Sequence, residues 1–110
     1  MPTTRWDVYR IGDQNGPGLE LVRPGVDIMV VNVQGVAIVV ANQGGSSTRL
    51  QTHRLRDPND RWWRLPAGTL VHPLLTAKQD GRNHVSWEPI SHMPLADYLQ
   101  ALASMNSLFT

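Results

Sequence analysis

The stretch D-I-M-V-V-N-V-Q-G-V-A-I-V-V-A, residues 27–41, contains two short runs of mainly β-branched apolar residues. The runs 27–31 and 36–41 are separated by four residues that include Gly35. β-Branched side chains fit the pleated surface of a sheet, and a short glycine-containing break between two such runs is typical of a hairpin. The second run is apolar at both alternating positions, so we expect it to be a central, covered strand. The stretch therefore predicts a β-hairpin whose second strand lies inside a sheet.

Outward from this hairpin, the chain is punctuated by turn residues and closes on a helix. Its 8 prolines and 9 glycines separate short apolar runs, as in a domain made mostly of strands. Pro94 suits a first helical turn, and apolar residues then recur at helical spacing. These residues are Leu95, Tyr98, Leu99, Leu102 and Met105. We therefore predict an α+β fold with few helices, including one C-terminal helix over about residues 94–105.

Length and composition predict a single domain over residues 1–110. The chain has no cysteine, which excludes disulfides, thiolate nucleophiles and Cys-type zinc sites. A net charge of +1 carries no global argument for nucleic acid or membrane. No apolar run approaches the ~20 residues of a membrane span, and no basic segment leads into an apolar stretch at the N-terminus. We expect a cytoplasmic protein with no N-terminal secretion signal.

The stretch N-H-V-S-W-E-P, residues 83–89, is the most unusual strand candidate. At a period of two, His84, Ser86 and Glu88 share one face, while Val85 and Trp87 share the other. We assign Val85 and Trp87 to the core. The polar face carries side chains used for proton and charge chemistry, and periodicity alone leaves open whether that face is catalytic or only solvated.

Other segments offer weaker chemical signals. Gly44, Gly45, Ser46 and Ser47 form a turn whose amides and hydroxyls could face a ligand, although a plain hairpin turn is an equal alternative. The four histidines lack metal-ligand spacing, so no metal site is predicted. There is no G-x-S-x-G motif, which argues against a serine hydrolase. The stretch Arg49–Arg64 is basic and includes Trp62 and Trp63, as nucleic-acid-binding segments do.

In order along the chain, these segments resemble the Tse-type toxin family of type VI secretion. The resemblance covers about residues 8–105 and is carried by the following motifs: V-Y-R in the first strand, P-G-V-D-I, G-G-S-S at 44–47, W-W-R-L-P-A-G-T at 62–69, H-V-S-W-E-P at 84–89 and M-P-L-A-D-Y at 93–98. It implies an ADP-ribosyltransferase-like fold with a split, two-sheet β core related to that of diphtheria-toxin-like enzymes.

The resemblance also implies a function and partners. NAD would be held in a cleft between the two sheets, and an immunity protein of the producing cell would occlude that cleft. The protein would be a monomer when free, would not engage membranes and would act on NAD or on a macromolecular acceptor in the cytoplasm. The family's toxicity-associated hydroxyls correspond to Ser46 and Ser47, its late histidine to His84, and its first-strand Tyr-Arg pair to Tyr9 and Arg10.

Roles for these residues follow from the chemistry of NAD cleavage. We expect Ser47, His84 and Glu88 to be catalytic, with Glu88 stabilising positive charge on the ribose. Five residues are expected to bind the cofactor: Tyr9, Arg10, Gly45, Ser46 and Trp63. Arg10 with the turn amides would hold the pyrophosphate, and the ring of Tyr9, Trp62 or Trp63 would stack on the nicotinamide. Thr48-Arg49-Leu50 departs from the family, whose members often carry an acidic residue there, and Glu88 has no secure counterpart in it.

Two other functions stay open on the residues alone. One is a ribonuclease-like or RNA-binding toxin that uses His84 together with the basic stretch Arg49–Arg64. The other is a binding module whose cleft docks a partner protein without catalysis.

Overall fold

The computed structural model describes residues 2–110, which contain eight short strands and one α-helix. The strands are β1 Val8–Gly12, β2 Ile28–Val33, β3 Val36–Gly44, β4 Ser46–Thr48, β5 Arg61–Leu65, β6 Leu75–Gln79, β7 Val85–Pro89 and β8 Met93–Pro94. Helix α1, Leu95–Met105, leads into a 3₁₀ turn at Asn106–Leu108. The predicted α+β class and C-terminal helix are confirmed. Within this described part, no helix has the length and apolarity that a membrane crossing requires.

The hairpin predicted from residues 27–41 forms as β2 and β3. Val33 lies opposite Val36, which leaves Gln34 and Gly35 as a two-residue turn. Both turn residues have positive φ, 52° and 83°, as in the type I′ turns that match the twist of paired strands. β8 pairs with the other edge of β3, so β3 is the central strand of its sheet, as predicted. The prediction that it is covered is wrong, because Val39 alone of its nine residues is buried and Val36 is 48% exposed.

The strands form three sheets rather than the predicted two. Their orders are β1–β5, β2–β3–β8 and β4–β7–β6, and all the strand pairs are antiparallel. The extra division arises at Gly44, where φ is +97° and a β-carbon would approach Asp27 O to 2.2 Å. This glycine turns the chain sharply after β3, so β4 leaves the hairpin and pairs with β7 instead.

The core is centred on β7 and the apolar stripe of α1. Trp87 and Tyr98 are the largest fully buried side chains. The Tyr98 hydroxyl donates to Trp87 O at 2.6 Å, and Trp87 Nε1 donates to Thr48 Oγ1 at 2.9 Å. β4 and β6 flank β7, and β3 packs against it, so every residue of β7 is buried. The assignment of Val85 and Trp87 to the core is confirmed.

Candidate functional site

Two neighbouring serines in β4 lie on opposite faces of the sheet. Ser46 is opposite Trp87 and Ser47 is opposite Ser86, so strand alternation sends their side chains in opposite directions. Ser46 is 1% exposed, and its hydroxyl donates to Leu19 O at 2.6 Å. Ser47 is exposed. Only the second serine is therefore available to a ligand.

Ser47 is the end of a hydrogen-bonded chain that crosses the sheet. Its Oγ lies 2.6 Å from His84 Nε2, and His84 Nδ1 is bonded to Asp80 Oδ1. Asp80 follows β6 and His84 precedes β7, and the Asp80 amide donates to His84 O. The register of the β6–β7 pair thus brings the carboxylate beside the imidazole, while the β4–β7 pair brings the hydroxyl to its other nitrogen.

The contacts of His84 determine how it can carry a proton. An ionised carboxylate only accepts hydrogen bonds, so Nδ1 carries the hydrogen that Asp80 accepts. Nε2 is then the basic nitrogen, and it accepts from the Ser47 hydroxyl. The His84 side chain is 38% exposed, so an incoming molecule can reach this pair. The arrangement is that of a general base oriented by a carboxylate and placed against a hydroxyl.

A shallow depression of about 220 Å³ adjoins Ser47. Its lining comes from β1, β4 and β5 and comprises Tyr9, Arg10, Ile11, Ser47, Thr48, Arg49 and Trp62. The backbones of Tyr9 and Arg49 exchange two hydrogen bonds of 2.7 Å, which join β1 to the end of β4. The rings of Tyr9 and Trp62 meet edge to face with centroids 6.5 Å apart. The depression therefore combines two aromatic residues, two arginines and the hydroxyl of Ser47.

Arg10 serves the fold rather than a ligand. Its guanidinium donates to Pro17 O at 2.9 Å, Gly18 O at 2.9 Å and Ser47 O at 2.6 Å, with a longer bond to Leu21 O. Burial lowers the pKa of this guanidinium, with nearby acidic groups opposing the shift. Carbonyl oxygens accept from four of its five N–H groups, so the predicted pyrophosphate contact would use the remaining N–H or break some of these bonds.

Gly45 and Ser46 also lie away from any ligand, which corrects their predicted role in cofactor binding. The Gly45 amide donates to Asp27 O at 2.8 Å, and the Ser46 amide donates to the Tyr98 hydroxyl at 3.0 Å. A β-carbon on Gly45 would come within 2.3 Å of Trp87 O. The glycine is required because β4 packs closely on β7, and the predicted anion-binding amides are used within the protein.

Glu88 shares the face of Ser47 but does not join its hydrogen-bonded chain. The residue is 7% exposed, and Lys78 Nζ lies 3.5 Å from Glu88 Oε1. That oxygen is buried and accepts no hydrogen bond from any group of residues 2–110. β3 packs against β7, so the strand that looked half-solvated in the sequence is covered on both faces. The carboxylate that contacts His84 is Asp80 instead.

Trp63 lies at a different cavity from Ser47. Its Nε1 donates to Asp13 O at 2.9 Å, and the Arg61 guanidinium sits 3.9 Å from the ring centroid. The cavity, of about 580 Å³, lies between the loop after β1 and the C-terminal residues. Trp62, its neighbour in β5, faces the Ser47 depression because adjacent strand residues point to opposite sides.

No sequence pattern indicates Asp80 or Asn83 as site residues, and Arg49 is indicated only as part of the basic stretch Arg49–Arg64. Asp80 lies four residues before His84 across the connection from β6 to β7, and its contact with the imidazole depends on how these two strands pair. Asn83 Oδ1 accepts hydrogen bonds from the amides of Leu50 and Gln51, which holds the segment after β4 beside His84.

The other three histidines, His53, His72 and His92, do not contact Ser47 or His84 by any hydrogen bond that the structure shows within residues 2–110. No cluster of His, Cys, Asp or Glu suited to a metal occurs within residues 2–110.

Three predicted site residues, Tyr9, Arg10 and Ser47, thus line one depression, and His84 bonds to Ser47 beside it. Trp62 and Arg49 line the same depression, and the fold adds Asp80 through its contact with His84. Comparison with models of known protein families and with curated protein sequences finds no match to this chain.

Proposed function

We propose that this chain is an antibacterial toxin domain of the ADP-ribosyltransferase-like class that consumes NAD at the Ser47 depression. The observation that carries the proposal is the bond of 2.6 Å between Ser47 Oγ and His84 Nε2, formed beside Tyr9 and Trp62. Ser47 and His84 are 37 residues apart in the chain. Both are among the positions that the family resemblance associates with function, together with Ser46, Tyr9 and Arg10.

The lining of the depression suits part of the NAD molecule. Tyr9 and Trp62 offer aromatic surface to the flat nicotinamide ring, and the Arg49 guanidinium is matched to a phosphate. A volume of about 220 Å³ is smaller than the roughly 300–1,000 Å³ of most ligand pockets. The depression therefore suits the nicotinamide–ribose half, with the rest of the dinucleotide lying across the surface.

The hydrogen-bonded chain can carry the protons of NAD cleavage. Breaking the bond between ribose and nicotinamide leaves positive charge on the sugar, and nicotinamide departs with the bonding electrons. A water molecule or an acceptor hydroxyl then bonds to the sugar carbon and gives its proton to His84 Nε2, directly or through Ser47. Asp80 stabilises the resulting imidazolium.

The proposed site also indicates how the toxin would be neutralised and where it would act. An immunity protein would neutralise the toxin by covering the depression, and the free toxin would act as a monomer in the cytoplasm of the target cell. The final step would be either hydrolysis of NAD or transfer of ADP-ribose to a macromolecule.

Release of nicotinamide from NAD by the purified protein tests the proposal, with and without bacterial cytosol as a source of acceptor. We expect release by the wild type and by Ser91→Ala, which replaces an exposed serine outside the site. Ser47→Ala and His84→Ala should be inactive and should not arrest growth when expressed in bacteria. Harmless expression of the wild type together with no nicotinamide release would refute the proposal.

A second candidate is a ribonuclease-like or RNA-binding toxin, favoured by the surface next to the depression. His53 and Trp62 meet edge to face at 5.1 Å, and Ile11 lines both the depression and a groove of about 410 Å³. Arg54 and Arg56 line that groove, although Asp57 and Asp60 do so too.

Substitutions in the groove and assays of RNA cleavage and NAD turnover distinguish this second function from the first. Loss of toxicity in Arg54→Ala combined with Arg56→Ala, RNA cleavage by the wild type and an absence of NAD turnover would together favour it.

A further inference from the structure

We propose that Ser47 is a reactive nucleophile that also cleaves small carboxylic esters, by the route of a serine hydrolase. The inference rests on the full chain of contacts from Ser47 Oγ through both nitrogens of His84 to Asp80. It uses the side chains of the proposed NAD site but requires no NAD, so the two proposals can fail separately.

The order of contacts is what a serine nucleophile needs. Asp80 holds the Nδ1 hydrogen, so the basic Nε2 faces the hydroxyl. The Ser47 side chain is on the exposed face of β4, whereas the Ser46 hydroxyl on the other face is buried and donates to Leu19 O. The chain lacks the G-x-S-x-G turn of many hydrolases, yet the strand register assembles the same three groups from β4 and the ends of β6 and β7.

The reaction can be written with all atoms accounted for. Ser47 Oγ bonds to the ester carbonyl carbon, and its proton moves to His84 Nε2. The carbon–oxygen bond to the alcohol breaks, and the alcohol leaves with that proton. Water then attacks the acyl group, gives a proton to His84 Nε2 and releases the carboxylic acid, and the proton returns to Ser47.

The surroundings of Ser47 indicate which esters fit and what stabilises the carbonyl oxygen. Tyr9, Ile11 and Trp62 form an apolar and aromatic wall, which suits an ester of a small aromatic alcohol. The amides of Gly45 and Ser46 are already donated within the protein. Arg49 is exposed at the same depression and has no carboxylate partner within residues 2–110, so its guanidinium is the cation available to the developing oxyanion.

The first experiment measures covalent labelling of the intact protein by a fluorophosphonate reagent, with the labelled residue located by mass spectrometry. Attack forms a bond between Ser47 Oγ and phosphorus and expels fluoride, while the proton goes to His84. We expect one label on Ser47 in the wild type and in Ser91→Ala. We expect none in Ser47→Ala, labelling at least about a hundredfold slower in His84→Ala, and slower labelling in Asp80→Asn.

The second experiment follows hydrolysis of nitrophenyl acetate by the same proteins, with circular dichroism to verify that each is folded. Ser47→Ala should fall to the background rate, and Arg49→Met should lose rate while keeping its stability. Absence of labelling in the folded wild type, labelling elsewhere, or equal rates in wild type and His84→Ala would overturn the proposal. Should Ser47→Ala fail to fold, His84→Ala and Asp80→Asn decide the question because both retain the serine.

Discussion

The two faces of β4 put the same chemical group to different uses. On the inner face, Ser46 is buried, its hydroxyl bonds to Leu19 O and its amide bonds to the Tyr98 hydroxyl. On the outer face, Ser47 is exposed, and its hydroxyl bonds to a histidine that an aspartate orients. One face of the strand makes hydrogen bonds within the core, and the other carries an acid–base pair.

In β4, hydrogen-bond partners separate structural from functional polar groups better than residue type does. The inner serine is bonded to main-chain and buried side-chain groups that cannot move without loss of packing. The outer serine is bonded to a titratable ring, which can accept and return its proton. The same test assigns Arg10 to the inner group because its guanidinium donates only to main-chain carbonyls.

The largest expected effect is on activity, from His84→Ala. Removing the base should slow nicotinamide release by about a thousandfold, because the incoming hydroxyl then loses its proton acceptor. The side chain is 38% exposed and makes two hydrogen bonds, so the free energy of unfolding should fall by only about 1 kcal/mol. Steady-state kinetics and urea denaturation measure the two quantities. A large loss of stability with full activity in the folded fraction would reverse the roles of the two faces.

Gly45→Ala should produce the opposite result, a large loss of stability. The new β-carbon would approach Trp87 O to 2.3 Å, so β4 must move away from β7 at a cost of about 3 kcal/mol. Urea denaturation measures the loss, and Gly68→Ala is the matched control. Gly68 has a positive φ of +88° but no neighbour near its missing β-carbon, so only about 1–2 kcal/mol of backbone strain is expected there. Equal effects at the two glycines would argue against close packing at Gly45.

The parts of the molecule that the sequence predicted are the parts specified locally. Two β-branched runs around Gly35 were enough for the β2–β3 hairpin, and periodic apolar residues after Pro94 were enough for α1. Ser47 and His84 were found through an ordered set of motifs. Asp80 was missed because its partnership depends on the register between β6 and β7, which no local pattern reveals.

The division into three sheets and the burial of Glu88 were missed for a related reason. Both depend on how β3 ends at Gly44 and then packs against β7, which is a contact between segments far apart in the chain. Strand periodicity reports which residues share a face, but it does not report what covers that face. The predicted solvated or catalytic face of β7 is consequently buried along the strand.

Ser46→Ala should have a moderate effect on stability and none on the chemistry. The substitution leaves Leu19 O buried without its donor, which costs about 1–2 kcal/mol. The folded variant should still release nicotinamide at the wild-type rate, because Ser46 faces away from His84. Thermal unfolding and the nicotinamide assay test both halves of the statement, with Ser91→Ala as an exposed control. Inactivity in a folded Ser46→Ala protein would mean that the inner serine has a catalytic role.

The smallest effect, from Tyr98, appears only at alkaline pH and tests the inner face alone. Burial raises the pKa of the Tyr98 hydroxyl to about 12, with the amide of Ser46 opposing the shift. In the unfolded chain a tyrosine ionises near pH 10, so the unfolded state loses its proton first as pH rises. The stabilisation of the folded protein by the Tyr98 hydroxyl is therefore fully present below about pH 10 and is lost as pH approaches 12, by up to about 1.4 kcal/mol per pH unit.

Tyr98→Phe lacks both hydrogen bonds and should be less stable at pH 8 by about 1–2 kcal/mol, but it has no such alkaline loss. Urea denaturation of both proteins between pH 8 and 11 should show the gap narrowing above pH 10, whereas a constant gap would mean that Tyr98 ionises equally readily in the folded and unfolded states. Because the outer face contributes nothing to this difference, the same narrowing is expected in a Ser47→Ala background.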